Sequence, residues 1–180
     1  MAMTQYFVAS SLDGFIADAR GEIDWLLQLD DGLEDDTNPY AAFIRDVGAL
    51  AMGATTYEWI RRTHPGEWFY EDRPTWVFTH RELAPIAGAN LRFTAEPVPA
   101  VHAAMVAAAG GRNVWLVGGG ELVGQFVDHG LLDEIWVSIA PVTLGAGAPL
   151  LPRNRTTPMT LTSATRSRGG TFAHLRYQVR

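Results

Sequence analysis

Residues 114–130 read VWLVGGGELVGQFVDHG. The apolar run 114–117 is of strand type, and beyond Gly118-Gly119-Gly120 the apolar period becomes that of a helix over residues 121–129. A tight strand-to-helix turn needs one or two glycines. Three in a row remove Cβ from consecutive positions, so that a ligand can touch the backbone, and the N–H groups opening the next helix attract anions. A pyrophosphate is the guest this suggests. A tight turn with no ligand fits the stretch equally. It is not a Walker loop, since no G-K-[ST] follows, and Val123 stands where the last glycine of G-x-G-x-x-G belongs.

On either side of this stretch, strand and helix patterns alternate. Residues 6–9 predict a short strand that leads into a loop rich in Gly and Asp, SSLDGFIADARGEIDW. Asn38-Pro39 reads as a helix N-cap with a first-turn proline, and residues 40–47 carry the spacing of one helical face. Residues 49–52 predict a buried strand ended by Gly53, and Thr55 or Thr56 is placed to cap the helix that begins TYEWIRR. Strands are predicted at 75–79 and 91–93, a helix at 97–109 stopped by Gly110-Gly111, and a strand at 134–140. Residues 159–168 and 171–179 alternate around Gly169-Gly170 as an antiparallel hairpin. The order predicts one α/β domain over residues 1–180: a mostly parallel mixed sheet between helices, with an antiparallel C-terminal hairpin.

Composition narrows the function. The chain has 180 residues, 47% hydrophobic and 19% charged, as in a globular protein, and a formal charge of −6. That charge speaks against a nucleic-acid surface, which needs clustered cations. No apolar run is long enough to span a bilayer, and the start MAMTQYFVASS lacks the pattern of a signal peptide. The chain has no cysteine, which removes disulfides and thiol chemistry and fits a cytoplasmic location. The five histidines show no H-E-x-x-H spacing and no G-x-S-x-G elbow appears, so a metal or serine hydrolase has no nucleophile or metal constellation; no metal site is expected.

Two further strand ends carry candidate chemistry. Ala51-Met52-Gly53-Ala54-Thr55-Thr56-Tyr57-Glu58 repeats the small-residue junction, here with hydroxyls able to bond a phosphate; ordinary capping explains it as well. Two such junctions in one sheet favour a long ligand with a diphosphate, such as a dinucleotide. Thr79-His80-Arg81 combines a hydroxyl, an imidazole and a guanidinium, a set suited to a 2′-phosphate and equally to a solvated loop.

These pieces in this order resemble the dihydrofolate reductase superfamily, in particular the branch holding the C-terminal reductase domain of the bifunctional riboflavin-biosynthesis protein. The resemblance is carried by Ser11-Leu12-Asp13-Gly14-Phe15-Ile16-Ala17, by Asp24-Trp25, by Met52-Gly53-x-Thr55-x-Tyr57-Glu58 and by Gly118-Gly119-Gly120-Glu121-Leu122. It continues in Ala140-Pro141-Val142-x-Leu144-Gly145-x-Gly147-x-Pro149-Leu150. It implies a three-layer α/β/α fold and an NADPH-dependent reductase passing hydride to a small heterocyclic or carbonyl substrate; the alternative is a non-catalytic nucleotide-binding module of the same fold.

Carried over by position, Ala9, Ile16 and Ala17 would meet the nicotinamide carboxamide. Gly53, Thr55, Thr56, Gly119, Gly120, Glu121 and Leu122 would meet the phosphates, with Gly118 in the same turn. Thr79, His80 and Arg81 fall where relatives hold the 2′-phosphate. The position after Met52-Gly53, Arg in many dihydrofolate reductases, is Ala54 here, so the NADPH preference rests on His80 and Arg81. Asp30 falls at the count of the pterin-binding carboxylate, in the acidic stretch DDGLEDD, where it would relay a proton; a solvated acidic loop is the competing reading. The riboflavin branch holds a ribosyl phosphate with basic residues, for which Arg61 and Arg153 are available.

Asp13 and Trp25, in the shared motifs, and Trp68 are the candidate substrate-binding side chains. Trp76 reads as core, while residues 68–70 either wall a flat substrate pocket or bury themselves at an interface. Relatives in this branch are often homodimers, and residues 134–140 and 172–179 are the apolar strands available for such a contact.

Overall fold

The structure, a computed structural model, describes residues 2–29 and 39–180. The chain runs β1 (Thr4–Ser11), β2 (Phe15–Ala17), α1 (Asp24–Leu27), α2 (Tyr40–Arg45), β3 (Val47–Gly53), α3 (Ala54–Thr63), β4 (Thr75–Phe78) and β5 (Leu91–Thr94). It continues with α4 (Val98–Ala108), β6 (Asn113–Gly118), α5 (Gly120–Asp128), β7 (Glu134–Ala140), β8 (Ala148–Pro149), β9 (Thr160–Arg166) and β10 (Ala173–Gln178).

Eight strands form one sheet in the order β5-β4-β3-β6-β1-β7-β10-β9. The first six are parallel, while β10 runs antiparallel to both β7 and β9. Alternation along the strands sends side chains to two apolar layers. In β6, Val114 and Leu116 face Val98, Val101 and Met105 of α4 and Leu122 and Phe126 of α5. Trp115, between them, turns to the opposite layer with Phe43 of α2 and Tyr57 and Ile60 of α3. Each fully buried side chain of this kind contributes on the order of 2 kcal/mol. In β3 the register against β6 shifts between Val47 and Ala49, and Gly48 sits at that bulge because the backbone of Ala109 occupies the space a Cβ would need.

The three-layer α/β/α arrangement and the antiparallel C-terminal strands agree with the reading of the sequence. The boundaries differ in places. The helix expected over 40–47 ends at Arg45, and Val47 already belongs to β3, because a buried β-branched residue gains more from the sheet than from one further helical turn. Its expected cap, Asn38, lies outside the described residues. Neither Thr55 nor Thr56 caps α3: the N-cap is Gly53, and both threonines lie in the first turn. The loop read after β1 contains two elements of its own, α1 and β2, and β2 pairs with β8 in a separate two-stranded sheet. Both β7 and β10 are paired on both sides, so the free edge at that end of the sheet belongs to β9.

Candidate active site

Strands β3 and β6 are parallel neighbours whose chains leave in opposite directions, β3 through α3 to β4 and β6 through α5 to β7. The two helices lie on opposite faces, so their N-termini meet at a topological switch point, where the open crevice of such a sheet falls. The N-caps are Gly53 (φ −79°, ψ 164°) and Gly119 (φ −83°, ψ 177°), both extended and neither helix with a side-chain cap. A Cβ built on Gly53 would stand 3.8 Å from the Gly119 nitrogen. Two sets of first-turn N–H donors thus converge with no capping side chain between them, and both helix dipoles place partial positive charge there.

The three glycines meet three different requirements. Gly118 has φ 145°, a conformation that L side chains rarely adopt, and its peptide bond to Gly119 is cis. A Cβ on Gly119 would meet nothing within 4 Å, so this glycine opens the backbone to the crevice. At Gly120 a Cβ would collide with the carbonyl oxygens of Pro149 and Leu150, that of Leu150 at 2.7 Å. The segment 147–150 forms a strap between β2 and α5: Gly147 lies against the carbonyl of Ala17, the Leu150 N–H donates to Gly14 at 2.9 Å, and the Tyr6 hydroxyl donates to the Leu150 carbonyl at 3.2 Å.

The crevice has two lobes. The smaller, about 510 Å³, is lined by Gly53, Thr79, His80, Thr94 and Leu122 among others. The larger, about 690 Å³, is walled by Ala9 of β1, Ile16 and Ala17 of β2, Ile23 and Leu26 near α1, and Pro149 of the strap. Aromatic side chains form much of its remaining surface: Phe7, Tyr40, Trp59, Tyr70 and Trp115. Thr55, Gly119 and Glu121 line both lobes and mark the waist between them.

One cation bridges two acids of α5 beside the waist. The Arg153 guanidinium donates to Glu121 at 2.8 and 2.9 Å and to Asp128 at 2.8 Å. It lies on α5 at Gly124, where a Cβ would come within 2.5 Å of its Cζ. The hydrogen bond from Arg153 holds Glu121 below the ordinary glutamate range. The loop beside the larger lobe is fixed by acids as well. Asp18 accepts the N–H groups of Arg20 and Glu22, and Glu22 accepts from the Trp59 indole (3.3 Å) and from Arg62 (2.7 Å) on α3.

The model of the family described as "RibD C-terminal domain" matches residues 54–172. The chain belongs to that family. It is similar to the uncharacterized protein YwjB of Bacillus subtilis, 34% identical over 147 residues (82% of this chain, 81% of that one). Among solved structures it is similar to a candidate riboflavin biosynthesis protein from Shewanella sp. PV-4, with TM-score 0.81, 25% identity and 100% of both chains covered. The Thermotoga maritima diaminohydroxyphosphoribosylaminopyrimidine deaminase/5-amino-6-(5-phosphoribosylamino)uracil reductase superposes with TM-score 0.65 at 18% identity, covering 98% of this chain and 56% of that one. The dihydrofolate reductase of Enterococcus faecalis does so with TM-score 0.66 at 14% identity, covering 99% and 97%. The RibD C-terminal domain thus shares its fold with these proteins.

Within this RibD C-terminal fold, most of the residues picked from the sequence line the crevice. The structure does not bring Asp13, Trp25, Trp68 or Arg81 into the lining of either lobe. The Asp13 carboxylate accepts from the Ser11 hydroxyl (2.6 Å) and from the Leu144 and Gly145 N–H groups (3.1 and 2.7 Å), clamping two loops together. That clamp, led by the Ser11 bond, holds Asp13 below the usual carboxylate range. Arg81 pairs with Glu58 at 2.7 and 3.2 Å, and its N–H donates to the Thr79 hydroxyl. The indole nitrogens of Trp25 and Trp68 are buried without a partner among the described residues. Asp30 lies outside the described residues. Of the aromatic cluster, Trp76 is core, Tyr70 walls the larger lobe with Trp68 against it at 5.0 Å, and Phe69 is 47% exposed.

The sequence reading did not assign Phe7, Leu26, Tyr40, Trp115 or Pro149 to the site, yet all of them line the larger lobe. Trp115 and Val117 alternate on β6 as a visible pair, but which face of a doubly covered strand borders the crevice is set by the helices packed on it. Among the described residues no three acids or histidines cluster to hold a metal, and no helix is long and apolar enough to cross a membrane.

Proposed function

We propose that this protein is an NADPH-dependent reductase that transfers hydride to a small heterocyclic or carbonyl substrate. The observation that carries the reading is the meeting of two uncapped helix N-termini, at Gly53 and Gly119, at the waist of a two-lobed crevice. A dinucleotide has the matching shape, two flat ends joined by a diphosphate. The residues present suit that group: backbone donors point at the waist, Gly119 offers no Cβ, and Arg153 neutralises Glu121 beside it. The reading is in keeping with the NADP(H) complex of the Enterococcus dihydrofolate reductase.

In this reading the first-turn N–H groups of α3 and α5, with the hydroxyls of Thr55 and Thr56, hold the diphosphate. Thr79 and His80 border the end where a 2′-phosphate would lie, and Ala9, Ile16 and Ala17 border the nicotinamide end. The cofactor, when bound, supplies hydride from its C4 position. The chain orients both reactants, and the apolar walls of the larger lobe exclude water from the reacting centre. The openness of that lobe beside the nicotinamide end favours a catalytic protein over a module that only binds nucleotide. The protein is proposed to bind a small molecule and to act as a homodimer.

Tryptophan fluorescence tests the reading directly, because Trp59 and Trp115 line the larger lobe. Micromolar quenching by NADPH with weaker quenching by NADH is the expected result. Equal binding would remove the 2′-phosphate assignment, and binding of neither would overturn the reductase reading.

A further inference from the structure

We infer that the larger lobe takes a flat, uncharged molecule and rejects one carrying a phosphate. The inference rests on the reductase reading, since it names the substrate class for the same site, and it parts from the phosphoribosyl substrate in the name of the Thermotoga enzyme.

The 14 basic residues other than histidine are all arginines, with no lysine among them. Among the described residues lining the larger lobe there is no arginine and no histidine; its ionisable side chains are Glu121, Tyr40 and Tyr70. The two arginines available for a ribosyl phosphate are placed otherwise. Arg153 is held by Glu121 and Asp128, and Arg61 lies over the Tyr57 ring, outside the lining. Arg62 and Arg73, on neighbouring segments, are held by Glu22 and by the Val47 carbonyl and Glu71.

A phosphate dianion brought into this lobe would lose its water and find no cation, an unfavourable exchange. The backbone donors at the waist are the remaining anion site, and in the reductase reading the cofactor diphosphate occupies them. What the lobe does offer is aromatic surface, from Phe7, Tyr40, Trp59, Tyr70 and Trp115, which favours a flat partner by contact area and ring stacking. Burial raises the pKa of the Tyr40 and Tyr70 hydroxyls, keeping both neutral hydrogen-bonding groups at physiological pH.

The test uses 2-naphthol and 2-naphthyl phosphate, flat aromatic molecules of which one is neutral and the other carries a phosphate. Binding of each is measured by equilibrium dialysis with saturating NADP+, which in the reductase reading fills the donors at the waist. The naphthol is expected to bind at least about tenfold more tightly, a difference of about 1.4 kcal/mol. In Leu26→Arg, with a cation added to the wall and folding checked by circular dichroism, the preference is expected to shrink or reverse. With NADP+ bound, equal or tighter binding of the phosphate by the native protein would overturn the inference, as would binding of neither. Failure of NADP+ to bind, followed separately by tryptophan quenching, would overturn the reductase reading instead.

Discussion

Gly120 packs its backbone against the strap at Leu150, where an added Cβ would stand 2.7 Å from the carbonyl oxygen; at the adjacent Gly119 an added Cβ meets nothing within 4 Å. The two positions therefore separate stability from binding. Gly120→Ala must push α5 and the strap apart, at a cost of about 1–3 kcal/mol typical of overpacking. Gly119→Ala is expected to keep stability within about 0.5 kcal/mol, because its backbone is already in the extended region. Its methyl group would instead enter the crevice and weaken NADPH binding by about tenfold or more. Urea denaturation and fluorescence titration of both variants check the contrast, and matching behaviour of the two would refute it.

Arg153 decides whether Glu121 can stand at an anion site. Arg153→Met leaves the Glu121 and Asp128 carboxylates on α5 without their cation, and NADPH affinity is expected to fall by about five- to tenfold. Adding Glu121→Gln should restore most of the loss, a coupling that a double-mutant cycle measures. Additive losses would mean that Arg153 acts on packing alone.

Arg81 must leave Glu58 before it can touch a 2′-phosphate. The pair is exposed, so breaking it costs about 0–1 kcal/mol, little enough for a ligand to do. Glu58→Gln is expected to improve NADPH over NADH by about threefold, and Arg81→Ala to lower that ratio by about tenfold. An unchanged ratio in Arg81→Ala would leave the discrimination to His80.

His102 sits on α4 with Nε2 2.8 Å from the Thr4 hydroxyl, and burial lowers its pKa. The unfolded chain therefore takes up the proton first, near the ordinary histidine pKa of about 6.5. Stability from this group is complete above that pH and declines as pH falls through the lower folded-state value. His102→Gln should lose less of its urea midpoint between pH 7 and pH 5 than the native protein does. Equal losses would assign the decline to carboxylates.

Much of this fold is legible because its signals are local. The apolar runs of β3 and β6, the helical spacing of α3 and α5 and the glycines that separate them follow from short-range sterics and periodicity. The switch-point location of the crevice follows in turn from strand order, and Gly53, Thr55 and Gly119 were recognisable on that basis. Trp115 and Tyr40 were not, since the face they present depends on which helix covers which side of the sheet.

Position along the chain was a poor guide to charge. Asp13, Arg81 and Arg153 all looked available for ligands, yet each is committed to a partner: Asp13 to the Leu144 and Gly145 amides, Arg81 to Glu58 and Arg153 to Glu121. The partners lie at separations from 23 to 132 residues, beyond the reach of any local pattern.

The sequence by itself determined the alternating α/β order, the antiparallel end of the sheet and the two small-residue junctions, because backbone sterics and side-chain period act within a few residues. Only the tertiary structure decided which of the three glycines faces open space, which strap requires Gly120, and which arginines remain for a ligand. Those outcomes rest on close approach between distant segments, where a single Cβ or ion pair is admitted or refused by atoms that the local sequence does not contain.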